Sequence, residues 1–318
     1  MTIFDAIIQG IVQGLTEFLP VSSSGHLAIT QHILGTGGEN NLFFNVMLHV
    51  GTLVAVIAFY HKLIWSLIKE FIVMIKDIFT GKFKWKSMNY ERNLIMMLIV
   101  GLLPLFLLFV PIPGTDMKIK DLAEVLSSSP ILLVTAVSLV LTSILLTIGI
   151  VLNRRNTSSV YKHLKGSSKS CGATKDTYNA LDAVLVGLMQ VAAALLPGLS
   201  RSGSTLAVGE MRRINKQKAL DFTFVLGIPS ILAAALLEGV EAMQSPAGIN
   251  IDPFTIIIGM AASAAVGYLA IVIFKWFLKS DKMSIFVIYT AIVGVALIII
   301  SIIEMNTGVN LFTGASIR

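Results

Sequence analysis

Between Gln13 and His26 the chain reads QGLTEFLPVSSSGH, which places a carboxylate, three consecutive hydroxyls, a glycine and an imidazole inside a very apolar sequence. Ionisable groups in such surroundings are costly to keep and mark functional sites by default. An imidazole can take a proton from a hydroxyl or from water, or attack phosphorus itself. Ser22, Ser23 and Ser24 with Gly25 offer hydroxyls and a backbone whose N–H groups can curl around a phosphate, although a serine run is also an ordinary helix cap. Glu17 follows Gln13 by one helical turn, so the two share a face, and it stands three residues before Pro20, close to the break.

A second stretch, Gln190 to Thr205, reads QVAAALLPGLSRSGST and repeats the plan with an arginine added. Gln13 pairs with Gln190, Pro20 with Pro197 and Ser23 with Ser200, all at an offset of 177 positions, the signature of an internal repeat. Arg201 is a permanent charge whose planar fork suits phosphate oxygens. Ser200, Ser202, Gly203, Ser204 and Thr205 around it read as the second half of an anion cradle. His49, in NVMLHVGT, reads as a packing residue beside Gly51. Asp182, Glu210 and Asp221 read as solvated carboxylates near the membrane interfaces.

The elements that must position these groups follow from composition. Of 318 residues 55% are hydrophobic and 13% charged, against about 25% charged in an ordinary soluble domain, so the chain reads as a polytopic membrane protein. A crossing takes roughly 20 apolar residues. Six segments reach that length, at about 42–60, 93–113, 130–152, 219–239, 254–274 and 284–303. The two motif stretches break at proline, serine and glycine instead, and broken backbone at membrane depth is tolerated only inside protein or beside a polar cavity. Residues 1–34 and 179–211 are therefore expected to be re-entrant helix hairpins. The fold class expected is an all-α membrane domain of six transmembrane helices and two hairpins.

Charge sets the orientation. Placing 61–92, 153–178, 212–218 and 275–283 in the cytoplasm puts 20 of the 24 Lys and Arg there, the positive-inside pattern. The first hairpin then enters from the outside and the second from the cytoplasm, which gives an inverted repeat with copies at about 1–113 and 130–303. Residues 61–92 read as a helix lying in the interface, and 153–178 as a hydrophilic cytoplasmic loop. The first apolar run has no basic residue before it and is not read as a signal peptide. The single Cys171 excludes an intramolecular disulfide, and no zinc-site spacing occurs.

The EFLPVSSSGH stretch, the PGLSRSGST stretch and the following ALDFTFVLGIP resemble the bacterial undecaprenyl-diphosphatase family, also called bacitracin resistance proteins. The resemblance covers nearly the whole chain. It implies hydrolysis of undecaprenyl diphosphate to undecaprenyl phosphate, the lipid carrier recycled for peptidoglycan synthesis, in the bacterial cell membrane; that the active site opens to the outside is expected from the charge asymmetry of the loops. It also implies roles for Gln13 and Glu17, for Ser22 to His26 and for Pro197 to Gly203; with Gln13 neutral, Glu17 is the only carboxylate of the first motif. The catalytic set expected is His26, Ser23, Glu17 and Arg201, with Ser22, Ser24, Gly25, Ser200, Ser202, Gly203 and Thr205 on the phosphates. A divalent cation, Mg2+ or Ca2+, is expected at Glu17 and Gln13. Ser23, His26 or a water stays open as the nucleophile, and Glu17 either orients His26 or holds the cation. The expected partners are a polyprenyl diphosphate lipid, the bilayer and a second copy in a homodimer, without nucleic acid. The alternative is a carrier that flips undecaprenyl phosphate or moves another anion, because inverted repeats with broken helices also build secondary transporters.

Overall fold

Proline sets the first break in each motif. The residue before a proline is driven out of the helical region, and Leu19 and Leu196 accordingly take extended backbone just before Pro20 and Pro197. Each break ends a helix whose start is fixed by a capping box. In α1 (Ile3–Phe18) Thr2 and Asp5 exchange bonds, and in α8 (Ala180–Leu195) Asn179 and Asp182 do the same. Both ends of α8 lie 177 residues beyond those of α1, 3 against 180 and 18 against 195. After each break the chain turns into a shorter helix, α2 (Ser23–Leu34) or α9 (Arg201–Met211), capped by Ser22 or Ser200. Two helix hairpins thus stand where the prolines predict them.

The computed structural model describes residues 1–36, 40–84, 88–127, 131–163, 174–244 and 251–317. The remaining elements are α3 (Asn40–Phe59), α4 (His61–Phe79), α5 (Tyr90–Leu102) with a 3-10 continuation to Phe109, α6 (Ile119–Ser127), α7 (Leu133–His163), α10 (Lys216–Gln244), α11 (Pro253–Lys279) and α12 (Ser284–Thr307). The fold is all-helical, with only isolated bridges among the described residues. Five helices are long and apolar enough to cross a bilayer, and α3 with α4 makes a sixth candidate bent by 82° at Tyr60. That bend suits a helix leaving the membrane to lie in the interface. Trp65, Phe71, Ile72 and Phe79 are exposed along α4, while Arg92 at the start of α5 reaches back to its Glu70 and Asp77 at 2.5 and 2.6 Å.

One expectation needs correction. The segment 153–178 does not begin as a loop, because α7 continues helically to His163, well past its apolar stretch. Residues 164–173 lie outside the described part. Beyond them Lys175 pairs with Ile214, fastening the start of the second hairpin to its end.

Glycines let the hairpins seat against the long helices. A methyl group on Gly10 would come within 2.5 Å of the Gly259 carbonyl of α11, and one on Gly187 within 2.4 Å of the Gly101 carbonyl of α5. These glycines are again 177 residues apart. The small residues from Gly259 to Gly267 serve this close packing, with Gly14 set against Ser263 and Gly51 against Met260. The packing holds α1 between α3 and α11, with α8 on α5, so the two hairpin tips meet in the interior.

Candidate active site

The two tips interlock through backbone. Gly198 N–H donates to Ser24 Oγ at 3.4 Å, Ser202 Oγ donates to the Leu19 carbonyl at 3.2 Å, and Gly25 packs on the Cα of Gly198. Gly198 has φ +96°, and a methyl group there would lie 2.4 Å from the Thr135 carbonyl of α7. Only glycine fits both constraints. Thr142 of α7 supports the same loop, accepting from Ser200 N–H at 3.0 Å and donating to the Gly198 carbonyl at 3.3 Å. The N-termini of α2 and α9 therefore converge, each carrying the partial positive charge of its unpaired N–H groups. Ser22, at the cap of α2, holds the uncommon φ of +73°, a strain retained where surrounding contacts enforce it.

Glu17, at the end of α1, is buried at this junction and collects donors on both oxygens. Oε2 accepts from Ser23 Oγ at 2.6 Å and from Gln13 Nε2 at 2.9 Å, and His49 Nε2 stands 3.5 Å away. Oε1 is paired with the guanidinium of Arg201 across the hairpin interface. A hydroxyl donating to a carboxylate in a short charge-assisted bond is held ready to give up its proton as it attacks. Glu17, Ser23, Arg201 and Gln13 are thus brought together, and His49 joins them. His49 bonds its Nδ1 to the Asn45 carbonyl at 2.7 Å, which aims Nε2 at the carboxylate.

His26 is not part of that cluster, so the expectation that Glu17 orients it is corrected. A carbonyl only accepts, so His26 Nδ1 carries a proton and donates to the Ser22 carbonyl at 2.7 Å, while Nε2 meets the phenol of Tyr289 on α12 at 2.8 Å. Ser23 and His26 lie three residues apart on α2, and each is turned toward a different neighbour.

The expected cradle is only partly open. Ser23 and Arg201 are half-buried and Ser24 is exposed, but Ser22, Ser200, Ser202 and Thr205 are buried. Ser22 and Ser200 accept from Gly25 N–H and Gly203 N–H as caps, and each also meets a neighbouring hydroxyl at 3.3 Å, Ser24 and Ser202 respectively. Ser202 donates to Leu19, and Thr205 donates to the Arg201 carbonyl at 2.7 Å. Ser202 thereby ties one hairpin to the other, while the Thr205 hydroxyl is spent within its own helix. Gln190, the repeat partner of Gln13, bonds the Gly101 carbonyl and Ser230 and serves packing. Asp182 and Glu210 are also buried, against expectation. Asp182 is held by Arg212 at 2.6 Å and Lys175 at 3.1 Å, ties that close the second hairpin's base.

Beside Arg201 a pocket opens whose polar side is Glu17, Arg201, Ser202 and Thr223 and whose apolar side is Phe18, Val56, Phe224 and Ile231. Among the described residues no three His, Cys, Asp or Glu side chains cluster as a metal site. Glu17 and Gln13 fit a more modest role, because the Gln13 Oε1 is buried without a partner beside the carboxylate. Mg2+ is commonly held by one or two protein oxygens and completed by water and substrate phosphates.

Known proteins resemble the chain over nearly all its length. The family profile described as bacitracin resistance protein BacA matches residues 6–296. The chain is 38% identical over 306 residues to the undecaprenyl-diphosphatase of Alkaliphilus metalliredigens (strain QYMF), covering 95% of this chain and 100% of that one. It is 37% identical to the undecaprenyl-diphosphatase of Bacteroides fragilis (strain YCH46), covering 94% and 98%. It is 30% identical to undecaprenyl-diphosphatase 3 of Bacillus cereus (strain ATCC 14579), covering 96% and 100%. With a match over nearly all its length, this chain belongs to the bacitracin resistance protein family.

Proposed function

We propose that the chain is a membrane-embedded phosphatase that hydrolyses undecaprenyl diphosphate to undecaprenyl phosphate and phosphate. The observation that carries the reading is Ser23 donating to a Glu17 carboxylate that Arg201 holds from its other side. A carrier of the same anion would need Arg201 but has no use for a hydroxyl poised on a base. The cavity beside Arg201 holds only about 10 Å³, but its lining has both characters the substrate class needs, charged and hydroxyl groups for a diphosphate and Phe18, Val56, Phe224 and Ile231 for an apolar chain. Each buried CH2-sized unit contributes about 0.8 kcal/mol, so such a lipid stays in the bilayer and the chemistry has to come to it.

In this mechanism Ser23 Oγ attacks the terminal phosphorus and Glu17 takes its proton. The bond from that phosphorus to the bridging oxygen breaks, and undecaprenyl phosphate leaves with the bridging oxygen. Arg201 and the N–H groups at the starts of α2 and α9 stabilise the charge on the transferring phosphoryl group. A water then attacks the phosphoserine and gives a proton to His26, one turn along α2. The Ser23–phosphorus bond breaks, Ser23 recovers its proton from Glu17, and phosphate departs. Gln13 and Glu17 would hold a divalent cation, which supplies charge neutralisation of the diphosphate when bound. His49 adds a second basic group beside Glu17.

The site opens to the outer side in this reading, as the excess of Lys and Arg in the opposite loops supports, and the two hairpins enter from opposite faces as an inverted repeat. The test is phosphate release from undecaprenyl diphosphate by purified protein in detergent, with isolation of a phosphoserine intermediate. Turnover by the wild type, lost in Ser23→Ala and Arg201→Ala, is the expected result. A folded wild type that releases no phosphate would refute it.

A further inference from the structure

We propose that Tyr289 is the positioning residue of His26, donating to Nε2 and holding the plane of an imidazole whose proton the Ser22 carbonyl keeps on Nδ1. The inference rests on the reading above, in which His26 serves the hydrolytic step. Its geometry is independent of that reading. The Ser22 carbonyl can only accept, so the 2.7 Å contact fixes the proton on Nδ1. Among the described residues no carboxylate pairs with His26, so nothing stabilises a second proton on the ring. Nε2 then presents a lone pair, and the 2.8 Å bond from Tyr289 is the phenol donating into it.

The contact is more than one hydrogen bond. The two rings lie nearly parallel, 13° apart with centroids at 5.6 Å, so Tyr289 fixes the plane of an imidazole whose tautomer the Ser22 carbonyl sets. The pair also crosses the molecule, 263 positions apart in sequence, and joins the catalytic hairpin to α12. Tyr289 itself is 42% exposed, in contrast to its neighbour Thr290, which is fully buried. An exposed phenol can swing aside without opening the core. Tyr289 therefore both occupies Nε2 in the resting state and yields it when a phosphorylated serine and its attacking water arrive. A base held this way loses no reorientation at the moment of reaction.

Tyr289→Phe keeps the ring and removes only the hydroxyl. Two readouts are taken on full-length protein in lipid nanodiscs: 15N chemical shifts of the His26 ring, and steady-state kinetics on undecaprenyl diphosphate with the phosphoserine level measured by acid quench. The expected results are an Nδ1–H tautomer in both proteins, set by the Ser22 carbonyl, with the Nε2 resonance of Tyr289→Phe shifted by loss of the hydrogen bond from the phenol. The variant should show kcat lowered about tenfold with KM within about twofold, more trapped phosphoserine, and no further loss when combined with His26→Ala. An unchanged Nε2 resonance and kcat in Tyr289→Phe would overturn the proposal, as would an equal loss in the His26→Ala background. If no phosphoserine forms in any variant, the two-step reading fails instead, and the Nε2 resonance alone decides whether Tyr289 positions His26.

Discussion

Replacing Glu17 by glutamine separates chemistry from stability at the centre of the site. The carboxylate accepts from Ser23, Gln13 and Arg201, so losing its charge looks severe for folding. Neighbouring groups soften it. If the new amide keeps its oxygen toward Arg201, its NH2 faces Ser23 and Gln13. Ser23 can turn to accept, and Gln13 can flip its amide to present Oε1, the atom that now has no partner. Arg201 is 27% exposed at its side chain and can draw on water. The bonds from Ser23 and Gln13 become neutral ones, Arg201 keeps an amide oxygen in place of a charge, and the flipped Gln13 NH2 takes over the unpartnered position, a cost of roughly 2–4 kcal/mol. The chemistry has no such escape, because an amide cannot take the Ser23 proton. Loss of a general base lowers kcat by about 10²–10⁴, equivalent to about 2.7–5.4 kcal/mol of barrier. Arg201, released from its pair, still meets the phosphates, so KM should not rise. The assay is phosphate release beside thermal unfolding of the same preparation. Glu17→Gln turning over within a factor of ten of wild type while folded would refute Glu17 as the base and return the nucleophile to water or His26.

Gly198→Ala should lower the unfolding temperature and remove activity together, because φ +96° and the 2.4 Å approach to Thr135 demand a shift of the loop; strain of this kind costs about 1–3 kcal/mol before the clash is counted. Chelation should reduce turnover and added Mg2+ or Ca2+ restore it, and activity indifferent to chelator would remove the cation from Glu17 and Gln13. In a Cys171→Ser background, Thr115→Cys should react with an impermeant thiol reagent added to intact cells and Thr80→Cys only after permeabilisation; labelling of both from one side would refute the assigned orientation. His49→Phe, which keeps the bulk and removes the nitrogen facing Glu17, should lower kcat/KM with little change in unfolding temperature, and unaltered kinetics would return His49 to packing.

What could be read without coordinates was whatever an apolar chain makes conspicuous. Glu17, Ser23 and Arg201 stand out because hydrocarbon has no place for them, and the structure does bring the three side chains together. The helix breaks were legible because Pro20 and Pro197 act on the residue just before them, a local effect needing no tertiary information. His49 and Tyr289 were hidden for the opposite reason. A histidine or tyrosine on an apolar helix face looks the same whether it packs or reacts. What makes His49 matter is the seating of α3 against α1 and α11, made possible by Gly51 on Met260 and Gly10 on Gly259. Adjacency in sequence misled as well. Glu17, Ser23 and His26 fall within ten residues, but the helix restart at Ser23 turns that hydroxyl back toward α1 and sends the imidazole three residues later toward α12. In the proposed mechanism the two basic groups therefore have separate tasks: the carboxylate, in contact with Ser23, takes the serine proton, and the imidazole, turned toward α12, takes one from water.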